Sequence, residues 1–96
     1  MSEAAERART LHYRIKRVLF RDWDPIGIQE IPEAQDEYDS YVPAIYSMLI
    51  ARKSINEVFE YLLWLETEHM GLTADRQQTR SIAEKLVDLN NQSSPP

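Results

Sequence analysis

Cysteine is absent from the sequence, and glycine occurs only twice in 96 residues. Without cysteine the chain has no disulfide framework and no thiolate to act as metal ligand or nucleophile. With so little glycine it has no glycine-rich loop that cradles phosphate groups, and it has no serine in a nucleophile elbow. The sequence therefore predicts a non-enzymatic protein with no catalytic residue and no cofactor.

Long apolar runs are missing as well. No segment approaches the roughly 20 consecutive apolar residues that span a bilayer, and the N-terminal stretch MSEAAERART lacks the apolar block of a secretory signal. We predict a cytoplasmic protein without a membrane contact. A chain of this length forms one domain with a modest core, so we assign residues 1–90 to a single helical domain and 91–96 to a flexible tail.

Basic residues are absent from the segment 22–49, which holds seven acidic residues. The preceding residues 1–21 hold six bases and two acids, and the whole chain has a net charge of −5. Two interpretations stay open: the basic and acidic blocks neutralise each other within the fold, or the acidic segment is a surface for a basic partner.

Hydrophobic periodicity near 100° per residue predicts an all-α bundle without strands. Pro25 ends the first helix, because the residue before a proline is pushed out of the α region. The apolar pattern of the second helix continues through Pro43, which favours one bent helix over two short ones, although a break at Pro43 is the alternative. The predicted helices span 3–22, 33–51, 55–70 and 74–90.

Three residues carry signals for helix ends. Ser54 and Glu57 form a capping-box pattern, in which each side chain accepts a hydrogen bond from the other residue's backbone amide. Gly71 suits a left-handed C-terminal cap, and Thr73 is placed to cap the fourth helix.

Glu66 lies in the middle of the apolar face of the third helix and has E-x-x-H spacing to His69. A helical di-iron site needs two such motifs and two further carboxylates, and the chain has only two histidines. We therefore predict no metal site and take Glu66 and His69 as buried polar residues. The carboxylate would bond to a tyrosine hydroxyl, to His69 or to a base of helix one, because an unpaired buried charge is costly. A functional acid is the alternative.

Trp64 lies on the opposite face of the same helix, among glutamates. Tryptophan is enriched among interface hot spots, so this face resembles a partner-binding surface. The alternative is that helix four, the tail or a second copy covers the ring. The candidate partner-binding residues are Glu33, Asp36, Glu37, Glu57, Glu60, Trp64 and Glu68.

Helix one carries Tyr13 and Phe20 opposite its apolar face, near Arg9, Lys16 and Arg17. Bases interleaved with aromatic rings can bind single-stranded nucleic acid. Because the whole chain is acidic and contains no nucleic-acid motif, we do not predict a nucleic-acid partner.

The stretch WDPIG at 23–27 predicts a structural corner. Gly27 permits a positive φ, and Asp24 can accept backbone amides in the turn. Trp23 is placed to cover the end of the bundle near Tyr38. The alternative is a ligand or partner pocket under the Trp23 ring, with Asp24 as its polar contact.

WDPIG, followed by DEYDSY at 36–41 and EHMGL at 68–72, resembles a family of small bacterial helical proteins of unknown function. That family has a W-D-P-hydrophobic-G signature after its first helix. The resemblance covers roughly residues 11–89 and implies an all-α fold near 90 residues. It implies no activity, cofactor or catalytic residue.

Two functions are consistent with these observations. The first is a protein-binding module whose acidic surface neutralises a basic partner, as a toxin-neutralising immunity protein does. The second is a structural or regulatory subunit that forms a homodimer through its aromatic residues and has no dedicated ligand site.

Overall fold

The computed structural model describes residues 3–28, 30–34 and 36–93. In this part of the chain there are four α-helices and no strand, so the predicted all-α class is confirmed. No helix among these residues is both long and apolar enough to cross a bilayer. The α-helices are α1 (Glu3–Arg17), α2 (Val42–Ile50), α3 (Ile55–Trp64) and α4 (Arg76–Ser93).

The first helix continues beyond α1 as a π-helical turn over Val18–Trp23. It ends as predicted at the residue before Pro25, since Asp24 has left-handed dihedral angles of φ 33° and ψ 57°. Two contacts from α4 hold this end of the helix: Lys85 Nζ lies 3.3 Å from Asp22 Oδ2, and Gln78 Nε2 donates to the Asp22 carbonyl at 3.3 Å. The corner is therefore fixed to the last helix of the bundle.

The prediction of one bent helix over 33–51 is wrong. Residues Pro32–Ala34 and Asp39–Tyr41 form short 3₁₀ turns, and α2 begins only at Val42. Pro43 lies in the first turn of α2, where its missing N–H removes no intrahelical bond and its fixed φ suits the helix. The alternative of a break near Pro43 is closer to the observed chain.

The third helix begins with half of the predicted capping box. Ser54 Oγ accepts the Glu57 amide at 3.1 Å, but the Glu57 carboxylate accepts the Ser54 hydroxyl at 3.3 Å instead of its backbone amide. Beyond α3 the chain forms a second π-helical turn, Leu65–His69. Gly71 follows with φ 69°, which confirms the predicted left-handed cap.

The prediction that Thr73 caps the fourth helix is wrong, because Asp75 Oδ1 accepts the Gln78 amide at 3.2 Å and α4 begins at Arg76. Aspartate is as good an N-cap as threonine and lies two residues closer to the apolar part of the helix. The helix continues to Ser93, three residues into the predicted tail. Residues 94–96 lie outside the described residues.

The core forms where α1 packs on α2 and α4, and where α3 packs on α4. Asn90 Nδ2 donates to the Leu49 carbonyl at 3.0 Å, which joins the end of α2 to α4. Each large apolar side chain buried in this way contributes about 1.5–3 kcal/mol. The buried hydrophobic side chains include Leu11, Ile15, Val18, Leu19, Trp23, Tyr38, Val42, Ile45, Leu49, Val58, Phe59, Leu62, Leu65, Ile82, Ala83 and Leu86.

Candidate functional site

The corner after helix one is closed by a hydrogen-bond network centred on Asp24. Its Oδ1 accepts the Ile28 amide at 2.8 Å and the Tyr38 hydroxyl at 2.9 Å, and the same hydroxyl accepts the Ile26 amide at 3.2 Å. Gly27 has φ 69°. The predicted turn geometry of Asp24, Pro25 and Gly27 is therefore confirmed. The network ties the long loop to the end of helix one.

Trp23 fills the space inside this corner and is only 6% exposed. Its ring centroid lies 5.5 Å from that of Tyr38, as predicted, and 6.1 Å from that of Tyr41. Burial and these two aromatic contacts favour the structural corner over a pocket. The indole Nε1–H is buried and has no hydrogen-bond acceptor among the described residues, which is the one feature that a corner does not explain.

Replacing Tyr38 by phenylalanine should lower the free energy of unfolding by about 1–2 kcal/mol at neutral pH, because the Ile26 amide and Asp24 lose a partner. Burial, with the nearby Asp24 carboxylate, raises the pKa of Tyr38. The contribution of a group with a raised pKa is complete below the unfolded-state pKa of about 10 and is lost as the pH rises further.

Urea denaturation of the wild type and Tyr38→Phe at a series of pH values checks this. The difference between the two proteins should be constant below about pH 9 and shrink above about pH 10. Burial also raises the pKa of Tyr61. Tyr61 is present in both proteins, so its effect on stability cancels in the difference between them. A difference that grows with alkaline pH would contradict the assignment.

Glu66 is buried, as predicted, but none of its predicted partners reaches it. Its two carboxylate oxygens lie 3.0 and 2.7 Å from Thr79 Oγ1 of α4, and that hydroxyl also lies 3.0 Å from the Asp75 carbonyl. Thr79 precedes Ile82, a core residue of α4, by three residues and so lies on the same helix face. That spacing is the sequence signal that identifies Thr79 as a partner.

The prediction that His69 is buried beside Glu66 is wrong, because His69 is exposed. In an α-helix, side chains five residues apart point about 140° away from each other. In the π turn the Met70 amide bonds to the Leu65 carbonyl at 2.8 Å. Because this turn holds more residues than an α-helical turn, side chains five residues apart point closer together. The π turn therefore rotates His69 out of the core and onto the face of Trp64.

Four rings are linked by successive contacts and form what we call the aromatic row: Tyr41, Tyr61, Trp64 and His69. The Trp64 centroid lies 5.9 Å from that of His69 and 6.4 Å from that of Tyr61, with ring planes inclined by only 22° and 16°. His69 also meets Tyr41 edge-on at 5.9 Å. Trp64 remains 51% exposed, so helix four does not cover it.

Exposed glutamates precede and follow Trp64 in the chain. Glu60 and Glu68 are exposed and lie four residues before and after Trp64. Within the regular turns of α3, the spacing from Glu60 to Trp64 places these two side chains near each other. Glu57 has local partners, because Lys53 Nζ lies 3.6 Å from its carboxylate and Ser54 bonds to it. Glu60 and Glu68 are therefore better placed to meet a partner than Glu57.

The acidic segment adjoins the row, since it runs directly into Tyr41. Lys16 of α1 lies 3.0 Å from Asp36 and 3.3 Å from Asp39, and its hydrogen bond to Asp36 raises the pKa of Lys16. Part of the segment is thus neutralised within the fold. Glu33 and Glu37 are exposed and form no ion pair with any described residue.

The basic face of helix one is not an aromatic surface. Tyr13 is exposed, but its hydroxyl accepts a hydrogen bond from Arg17 at 3.1 Å, and Phe20 packs against the core. Lys16 already binds the acidic segment. Phe20 is therefore not available for stacking, and the Tyr13 ring already has the Arg17 guanidinium 5.7 Å from its centroid.

The described residues define an all-α protein of four helices with an aromatic row in which Trp64 and His69 are exposed. In the same part of the chain, no three histidine or acidic side chains are grouped so that they could hold a metal ion. No protein-family model, curated protein or solved structure matches the chain. The resemblance to the family with the W-D-P signature stays a prediction.

Proposed function

We propose that this chain is a non-enzymatic protein-binding module that recognises a basic partner through the aromatic row and the carboxylates around it. The exposed ring of Trp64, with an exposed glutamate four residues away on each side, is the observation that carries the proposal. Large aromatic side chains supply most of the binding energy at interfaces, and complementary charge speeds association. Neutralisation of a basic toxin is one form that this function takes.

Self-association through the same surface is the second candidate, and the charges around Trp64 disfavour it. A two-fold symmetric contact brings the same patch of both copies together. Centred on Trp64, it would bring Glu60 and Glu68 of one copy against the same residues of the other. Like charges in an interface oppose association, so such a dimer should form only at high salt.

The test is isothermal titration calorimetry of the protein with a short peptide in which lysine, arginine and serine alternate. Wild-type affinity should fall as salt screens the charges. Trp64→Ala should weaken binding about tenfold, the loss expected for an interface hot spot. Glu60→Gln combined with Glu68→Gln should weaken it by a similar factor and flatten the salt dependence.

Matched controls lie elsewhere on the surface. Tyr13→Ala removes a ring that is 56% exposed on α1, and Glu6→Gln with Glu84→Gln removes two exposed charges. Both controls should keep near wild-type affinity. Absence of peptide binding at low salt, or equal losses in the control and test variants, would refute the proposal. Analytical ultracentrifugation at low and high salt measures whether the protein forms a dimer.

A further inference from the structure

We propose that the aromatic row recognises an arginine side chain of the basic partner. Its guanidinium stacks on Trp64, and the carboxylate of Glu60 or Glu68 accepts hydrogen bonds from its N–H groups. The inference rests on the proposed function and adds the chemical identity of the contact. A planar guanidinium can stack on a ring and donate hydrogen bonds in its own plane, whereas an ammonium is a compact, strongly hydrated point charge.

Trp64 is 51% exposed, although it stacks with two other rings of the row. The centroids of His69 and Tyr61 lie 5.9 and 6.4 Å from that of Trp64, within the range of ordinary offset stacking. Offset stacking and this exposure leave part of the Trp64 ring accessible to a flat group.

Arginine side chains already lie over aromatic rings elsewhere in this protein. The guanidinium carbon of Arg17 lies 5.7 Å from the Tyr13 ring centroid, and those of Arg76 and Arg80 lie 5.6 and 5.7 Å from the Phe59 centroid. Among the described residues no cation lies over Trp64. Trp64 is the best type of ring for a cation, and exposed glutamates lie four residues before and after it in the chain.

The experiment compares two peptides of equal length and charge, one with arginine alternating with serine and the other with lysine alternating with serine. The arginine peptide should bind the wild type about threefold to tenfold more tightly. Trp64→Leu, which keeps an apolar side chain, should abolish the preference, and Trp64→Phe should retain part of it. The double variant Glu60→Gln with Glu68→Gln should weaken the binding of both peptides.

NMR spectroscopy of the indole N–H groups locates the contact with the peptide. The chain has two tryptophans, so the wild type gives two indole N–H signals, and Trp64→Phe identifies one of them. The arginine peptide should shift the Trp64 signal and leave that of buried Trp23 in place. Equal affinity for both peptides, or a preference that persists in Trp64→Leu, would overturn the guanidinium assignment while the binding module stands. Failure of both peptides to bind would overturn the proposed function as well.

Discussion

Replacement of Trp23 by alanine should lower the free energy of unfolding by about 3–5 kcal/mol, the range observed when a large buried aromatic side chain is truncated. Trp23 is 6% exposed and lies against Tyr38 and Tyr41, so its removal leaves a cavity at the end of the bundle. A domain of this size has about 5–15 kcal/mol of stability in total. The variant should therefore melt at least about 12 °C below the wild type.

Thermal and urea unfolding followed by circular dichroism measure this effect. Trp23→Phe keeps an aromatic ring and removes the N–H that lacks an acceptor among the described residues, so it should cost only about 1–2 kcal/mol. Trp64→Ala removes the exposed tryptophan and should cost less than about 1 kcal/mol. An unchanged melting curve for Trp23→Ala with lost peptide binding would favour a pocket under Trp23 over the corner.

Most of the helical architecture follows from the spacing of apolar residues and from the helix-end signals. Pro25 and Gly71 mark ends that the structure confirms. The second helix could not be predicted in the same way, because Tyr38 and Tyr41 are three residues apart, a spacing common to 3₁₀ turns and α-helices. The Tyr41 amide bonds to the Tyr38 carbonyl at 3.0 Å in such a turn.

The candidate site could be predicted only in part, because the turn that follows α3 departs from α-helical geometry. The positions of Trp64, Glu60 and Glu57 on one face follow from a regular helix of 3.6 residues per turn. The π turn over Leu65–His69 changes that angle, and no property of the sequence signals it. His69 therefore joins the aromatic row, and Tyr41 reaches the row from a segment distant in sequence.

Replacement of Thr79 by valine should lower the free energy of unfolding by about 3 kcal/mol, although the two side chains have nearly the same shape. Thr79 is the one described residue that donates a hydrogen bond to the buried Glu66 carboxylate. Leaving a buried polar group without its partner costs about 1–3 kcal/mol, and more when the group is charged. Urea denaturation at neutral pH measures the loss.

Two further variants identify its cause. Thr79→Ser keeps the hydroxyl and should lose only about 1 kcal/mol, the contribution of one buried methyl group. Glu66→Met combined with Thr79→Val replaces both partners with apolar groups and should return to within about 1 kcal/mol of the wild type. If the double variant is as unstable as Thr79→Val, the lost stability comes from packing around Thr79. Recovery in the double variant means that Glu66 depends on the Thr79 hydroxyl, and that the pair joins the π turn after α3 to α4 at the base of the aromatic row.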